Sequence, residues 1–166
     1  MDYIIREIEP ADNKAVENII RSCLIEFGGN RAGTAWEDPD LGRFSEIYNS
    51  EGNKYWVAED DKGKIVGGVG IGILPGAPGV CELQKMYCLT EARGVGIARE
   101  LLDKALAYAK QFYKQCYLET LGNMYAAHKF YEKHGFYRID GPVGDTGHCS
   151  CDVFYMKDIT SVLNIM

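Results

Sequence analysis

Cys81-Glu82-Leu83-Gln84-Lys85-Met86-Tyr87-Cys88-Leu89-Thr90-Glu91-Ala92-Arg93-Gly94-Val95-Gly96-Ile97-Ala98, running on to Lys110, is the stretch whose reading decides the fold. Cys81 to Leu89 predicts a strand, a short loop closes on Arg93 to Ala98, and that glycine-containing segment opens a long helix. In the helix Ile97, Leu101, Ala105, Tyr108 and Phe112 make one stripe with Ala98, Leu102 and Ala109 beside it, an apolar face broad enough to pack on a sheet. The first amides of a helix have no intrahelical acceptor, and the macrodipole places partial positive charge on them. Gly94 and Gly96 allow a phosphate to approach the backbone closely. A phosphate-bearing ligand at residues 93 to 98, with chemistry on the strand before it, is therefore the first expectation.

With 166 residues the chain suits a single domain over 1–166, able to bury roughly 70% of the surface its unfolded form exposes. No apolar run nears the ~20 residues of a membrane span. Met1 to Arg6 lacks the basic and apolar regions of a signal peptide, so the cytoplasm is the expected address. The six cysteines are then expected as free thiols. His148 with Cys149-Ser150-Cys151 has no second Cys/His pair at zinc-ligand spacing, and the two cysteines read as strand residues facing one way. A net charge of -6 argues against nucleic acid and anionic membranes as partners and favours a cationic substrate.

Working outward, Tyr3 to Ile8 alternates as a first strand and Pro10 stands at the N1 position of a helix. Val16, Ile19, Ile20, Cys23, Leu24 and Phe27 give that helix one apolar stripe, ended by Gly28-Gly29. Asp38-Pro39 offers a cap and N1 pair for a short helix to about Tyr48. Tyr55 to Glu59 and Ile65 to Leu74 form a hairpin pair, the second strand marked by Gly67, Gly68, Gly70 and Gly72, as where another backbone or a ligand comes close. Gln115 to Thr120 predicts a strand, Asn123 to His134 a helix stopped by Gly135, and Phe136 to Ile139 and Cys151 to Met156 two final strands.

A P-loop is excluded because no G-K-[ST] follows the glycines. A dinucleotide fingerprint fails at its third glycine, which is Arg99. What remains is R-x-x-G-x-A, Arg93 to Ala98, in ordered company: Glu82 to Cys88 upstream, then Leu118-Glu119-Thr120, Asn123, and Phe130 to Phe136. This set resembles the GNAT superfamily of acyl-CoA-dependent N-acyltransferases, from residue 3 to 156. The resemblance implies an α/β (α+β) fold: a mixed, largely antiparallel sheet of about seven strands with helices on both faces, splayed between the fourth and fifth strands. It implies that Arg93, Gly94, Val95, Gly96, Ile97 and Ala98 hold the pyrophosphate of CoA through backbone amides, and that Met86, Tyr87 and Cys88 pair with its pantetheine arm at a bulge. Asn123 corresponds to a pantetheine-contacting Asn and Tyr131 to a tyrosine near the sulfur; Thr90 departs from the proline that many members carry.

The implied reaction is acetyl transfer from acetyl-CoA, as cosubstrate and without metal, to a small-molecule or peptide amine. An amine with pKa near ~10.4 must lose a proton before attack, and Glu82 is the candidate base, directly or through water. A strand-end carboxylate paired with a cation is its structural alternative. Gln84 could position the acceptor, a bulge amide at Met86 to Cys88 could stabilise the carbonyl oxygen, and Tyr131 could protonate the leaving thiolate. Cys88 as a nucleophile would need a His partner that the sequence does not supply. Glu37, Asp38 and Asp40, with Trp36, form either a cation-receiving or a solvated acidic loop. The contrasting reading is a CoA-binding sensor without turnover. A homodimer is possible on either reading.

Overall fold

The computed structural model describes residues 1–148 and 150–160. Seven strands, β1 (Tyr3–Glu7), β2 (Lys54–Asp60), β3 (Ile65–Ile73), β4 (Val80–Cys88), β5 (Gln115–Thr120), β6 (Tyr137–Ile139) and β7 (Val153–Asp158), form one sheet in the order β1-β2-β3-β4-β5-β7-β6. All neighbours pair antiparallel except β4 and β5. The mixed sheet expected from the sequence is thus present, with its single parallel pair in the middle.

Alternation along β2 assigns the two faces. Trp56 and Ala58 belong to the core under α3 (Ile97–Ala109) and α4 (Tyr125–Lys133), while Tyr55 and Val57 pack with α1 (Asn13–Glu26) and α2 (Phe44–Ile47). The predicted stripes do the burying: Val16, Ile19, Ile20, Cys23 and Leu24 on α1, and Ile97, Leu101, Leu102, Ala105 and Ala109 on α3. Each fully buried Leu or Ile here stabilises the fold by about 1.5–3 kcal/mol. Phe112 lies beyond the end of α3 and is partly exposed. At the end of α4 the Gly135 amide donates to Glu132 O at 3.2 Å and the Phe136 amide to Tyr131 O at 3.0 Å. The positive φ this reversal needs is 88° at Gly135, and it buries Phe136 against the sheet.

Four expectations are corrected. Pro10 opens a 3-10 turn, Pro10–Asp12, and α1 begins only at Asn13, because Asp12 accepts the Glu9 amide at 2.8 Å and binds Arg6, pinning the turn. Asp38 does not cap a helix: its carboxylate turns inward, and α2 starts at Phe44. The last helix begins at Tyr125 rather than Asn123, whose side chain is drawn to Phe27 O at 2.8 Å. Cys151 precedes β7, which starts at Val153, and Cys149 lies outside the described residues.

Candidate active site

β4 and β5 stay together for three residue pairs only, Val80↔Gln115, Cys81↔Cys116 and Glu82↔Tyr117. Beyond Glu82 they part, so the edge of β4 from Leu83 to Cys88 faces a V-shaped opening with no strand partner. Such an edge can be completed by an extended ligand that pairs as an added strand. On its other side β4 bulges: Gln84 pairs with Gly70 and Tyr87 with Gly68, three steps against two. The bulge places Lys85 at φ 50°, alone among the non-glycine residues described, and the Tyr55 hydroxyl holds its carbonyl at 2.7 Å. The glycines of β3 make this possible. A Cβ at Gly68 would stand 2.6 Å from the Tyr55 oxygen, and one at Gly72 would stand 2.5 Å from Gln84 Oε1. The predicted close approach is made by aromatic and amide side chains.

The V opens toward the N-terminus of α3 as a cleft of about 290 Å³, walled by Met86, Tyr87 and Cys88 on one side and by Ala127, Phe130 and Tyr131 of α4 on the other. Arg93, Gly94 and Ala98 stand at its far end. The amides of Gly94, Val95 and Gly96 donate to no carbonyl among the described residues, and Gly96 enters α3 at φ 92°. No atom comes within 4 Å of a Cβ placed on Gly94, which leaves room for a phosphate. Ile97 is fully buried, so only its backbone can serve a ligand, whereas Val95 is exposed. The Arg93 guanidinium is held by both Glu26 oxygens at 2.8 Å and donates to Cys88 O at 3.2 Å. Positive potential at this end therefore comes chiefly from the helix.

At the apex, Glu82 is 7% exposed. Burial pushes its carboxyl above the usual carboxylate range, while the Gln84 side-chain amide, donating to Oε1 at 2.7 Å, opposes that rise. Gln84 is fixed in turn by the Tyr48 hydroxyl, which donates to its Oε1 at 2.6 Å. No Lys, Arg or His side chain forms an ion pair with Glu82 among the described residues, so the strand-end pairing considered for it is absent. Tyr131 lines both the apex and the cleft. Among the described residues its hydroxyl has no hydrogen-bond partner and no buried side-chain oxygen is left unsatisfied, so the hydroxyl opens onto the cleft. Burial raises its pKa and keeps it protonated. The Cys88 thiol is also pushed up by burial, to about 12, which makes it a poor nucleophile.

The structure thus brings Glu82, Tyr131, Met86, Tyr87, Cys88, Arg93, Gly94 and Ala98 to one continuous cleft. Asn123 is not part of its lining and instead ties the turn before α4 to the end of α1. Three residues that the sequence does not connect, Asp38, Lys85 and His148, meet at the apex. Asp38 binds Lys85 at 2.8 Å and His148 at 3.0 Å; although burial pushes its carboxyl up, these two partners hold it below its ordinary value. Ser150 closes the same roof, donating from its amide to Gly33 O and from its hydroxyl to Ala32 O, both at 2.9 Å.

Residues 14–136 match the acetyltransferase (GNAT) family. The chain is 38% identical over 159 residues to an uncharacterized N-acetyltransferase, YjgM, of Escherichia coli K12, covering 94% of this chain and 95% of that one. A GNAT-family acetyltransferase of Staphylococcus aureus Mu50 superposes with a TM-score of 0.85 at 25% identity, covering 95% and 99% of the two chains. The PaiA N-acetyltransferase of Thermoplasma acidophilum, solved in complex with coenzyme A, shares the fold with a TM-score of 0.70 at 19% identity, covering 95% and 99%.

Proposed function

The chain belongs to the acetyltransferase (GNAT) family, and from that premise we propose that it moves an acetyl group from acetyl-CoA to a primary amine by direct attack in a ternary complex. The observation that carries this reading is the opening between β4 and β5, which joins a buried, unpaired carboxylate at its apex to a row of free amides at its mouth. The coenzyme A bound by the Thermoplasma neighbour supports the choice of ligand.

Residues 94 to 98 would hold the pyrophosphate through their amides, and the free edge of β4 would pair with the pantetheine arm. Acetyl-CoA supplies an activated acetyl thioester and a thiolate leaving group. Glu82, its basicity raised by burial, takes the proton of the acceptor ammonium, directly or through one water. Lys85 and Met86 have no register partner in β3, and amides at the bulge can meet the negative charge that grows on the carbonyl oxygen as the C–N bond forms. Tyr131 gives its proton to sulfur as the C–S bond breaks, and burial keeps that proton in place until then.

Calorimetry with CoA, paired with thiol release from acetyl-CoA over a panel of amines, tests the reading. Micromolar or tighter CoA binding with acceptor-dependent release is expected. Binding without release under any amine would instead mark a CoA-sensing module. Gly96→Arg, which places a side chain at φ 92° beside the amides, should weaken CoA binding at least tenfold, and unaltered affinity would remove the pyrophosphate assignment.

A further inference from the structure

Charges facing the apex do not balance. Lys85 and His148 line it, and both are bound to the same carboxylate, Asp38. Glu82 and Glu119 also line it, and neither forms an ion pair among the described residues. Three carboxylates, Asp38, Glu82 and Glu119, thus stand against two basic side chains, and Asp38 takes both of these, leaving Glu82 and Glu119 without an ionic partner among the described residues. Glu119 is locked in position: Tyr117 donates to Oε2 at 2.7 Å and the Thr146 hydroxyl donates to Oε1. Each oxygen keeps a further acceptor site. Glu119 lines in addition an outer cavity of about 390 Å³ under residues 142–148, with Asp145 beside it. An acceptor entering from that side passes Glu119 before it reaches Glu82.

The register fixes the spacing. Glu82 stands beside Tyr117, and Glu119 is two residues further along β5 on the same face. Glu119 lies roughly 7 Å further along β5 and, with the ~4.8 Å between the strands, its backbone stands roughly 8 Å from that of Glu82. Resting on the acetyl-transfer reading above, we infer that the acceptor is an aliphatic diamine: one amino group yields its proton to Glu82 and attacks, and the other remains an ammonium ion docked on Glu119. The spacing suits roughly four or five carbons between the nitrogens. Glu119 is then the specificity-determining residue. An acceptor carrying a carboxylate is disfavoured, because it would face Glu82 and Glu119 and would have to displace Asp38 to reach a cation.

Initial rates of thiol release at saturating acetyl-CoA test this with 1,5-diaminopentane, n-pentylamine and 5-aminopentanoate, on the wild-type chain and on Glu119→Gln. In the wild type, kcat/KM for the diamine should exceed that for pentylamine by on the order of 10- to 100-fold, mainly through KM, and the ratio should shrink with added salt. Glu119→Gln should collapse the ratio toward one. Equal kcat/KM for the diamine and pentylamine in the wild type would overturn the inference alone, as would a preference for 5-aminopentanoate. A Glu119→Gln ratio that stays at the wild-type value would also overturn it, leaving Glu119 as a strut for Tyr117 and Thr146. Release with no amine at all would overturn the acetyl-transfer reading, and this inference with it. The wild-type ratio is decisive by itself if the variant does not fold.

Discussion

Gly72→Ala adds one methyl group to β3, and its consequence can be followed to Glu82. The new Cβ would stand 2.5 Å from Gln84 Oε1 and 2.8 Å from both Cδ and Nε2, so the Gln84 side chain must leave its place. Leaving breaks two hydrogen bonds, the one received from Tyr48 at 2.6 Å and the one given to Glu82 at 2.7 Å. A bond to a charged group is worth about 1.5–3 kcal/mol, and replacing Gly by Ala returns about 0.4–1 kcal/mol through the unfolded chain. With the neutral bond from Tyr48 worth about 0.5–1.5 kcal/mol, net destabilisation is about 1–4 kcal/mol, or roughly 2–16 °C in Tm for a domain of this size. Losing the amide that favours the charged form lets burial raise the Glu82 carboxyl further, so the acidic limb of the pH–rate profile moves to higher pH. At neutral pH kcat/KM should fall about tenfold, while CoA affinity, set at the other end of the cleft, should not change. Thermal denaturation, initial-rate kinetics and CoA calorimetry read the three effects. In a Gln84→Ala background the same methyl escapes the clash with the amide and should cost much less. Wild-type rate and Tm for Gly72→Ala would refute the support of Glu82 by Gln84.

Glu82→Gln should lower kcat by on the order of 10²–10⁴ and abolish the acidic limb of the profile; a retained limb would take the base role from Glu82. Tyr131→Phe should lower kcat with little effect on acetyl-CoA binding, which saturation kinetics will separate. Arg6→Met leaves Asp12, 6% exposed, without the guanidinium at 2.8 Å and should cost about 3 kcal/mol at pH 7 by denaturant unfolding. Burial pushes the Asp12 carboxyl up, but Arg6 and the Glu9 amide together hold its folded-state pKa below the unfolded value, so that stability is present above the unfolded pKa. It is lost as pH falls through the folded pKa, so wild type and variant should converge in acid.

Much of the scaffold is legible in the sequence because it rests on local regularities. The stripes of α1 and α3, the glycine stops at Gly28 and Gly135, and the order of strands follow from periodicity and turn chemistry. Glu82 and Tyr131 stand out in the sequence only by their place in an ordered motif, and the structure puts both on one cleft. Lys85 gives no such signal: a lysine in a strand does not announce a bulge with φ 50°, which is imposed by Gly68 and Tyr55 from neighbouring strands. Asp38 and His148 lie 110 positions apart and meet only after two loops fold over the apex, so neither carries local evidence of the other. The supposed acidic loop around Asp38 is therefore part ion-pair network and part surface, with Asp40 bound to Arg43 on the outside. Asn123, which the motif places at the pantetheine arm, here donates one side-chain N–H to Phe27 O at 2.8 Å, a long-range contact that its local sequence does not signal.

The most direct test of acetyl transfer within a ternary complex is initial velocity measured with acetyl-CoA and an accepted amine varied together. Direct attack beside Glu82 predicts double-reciprocal lines that intersect, with no acetylated protein on mass spectrometry after exposure to acetyl-CoA alone. Parallel lines, accompanied by an acetyl group on Cys88 or another side chain, would contradict it.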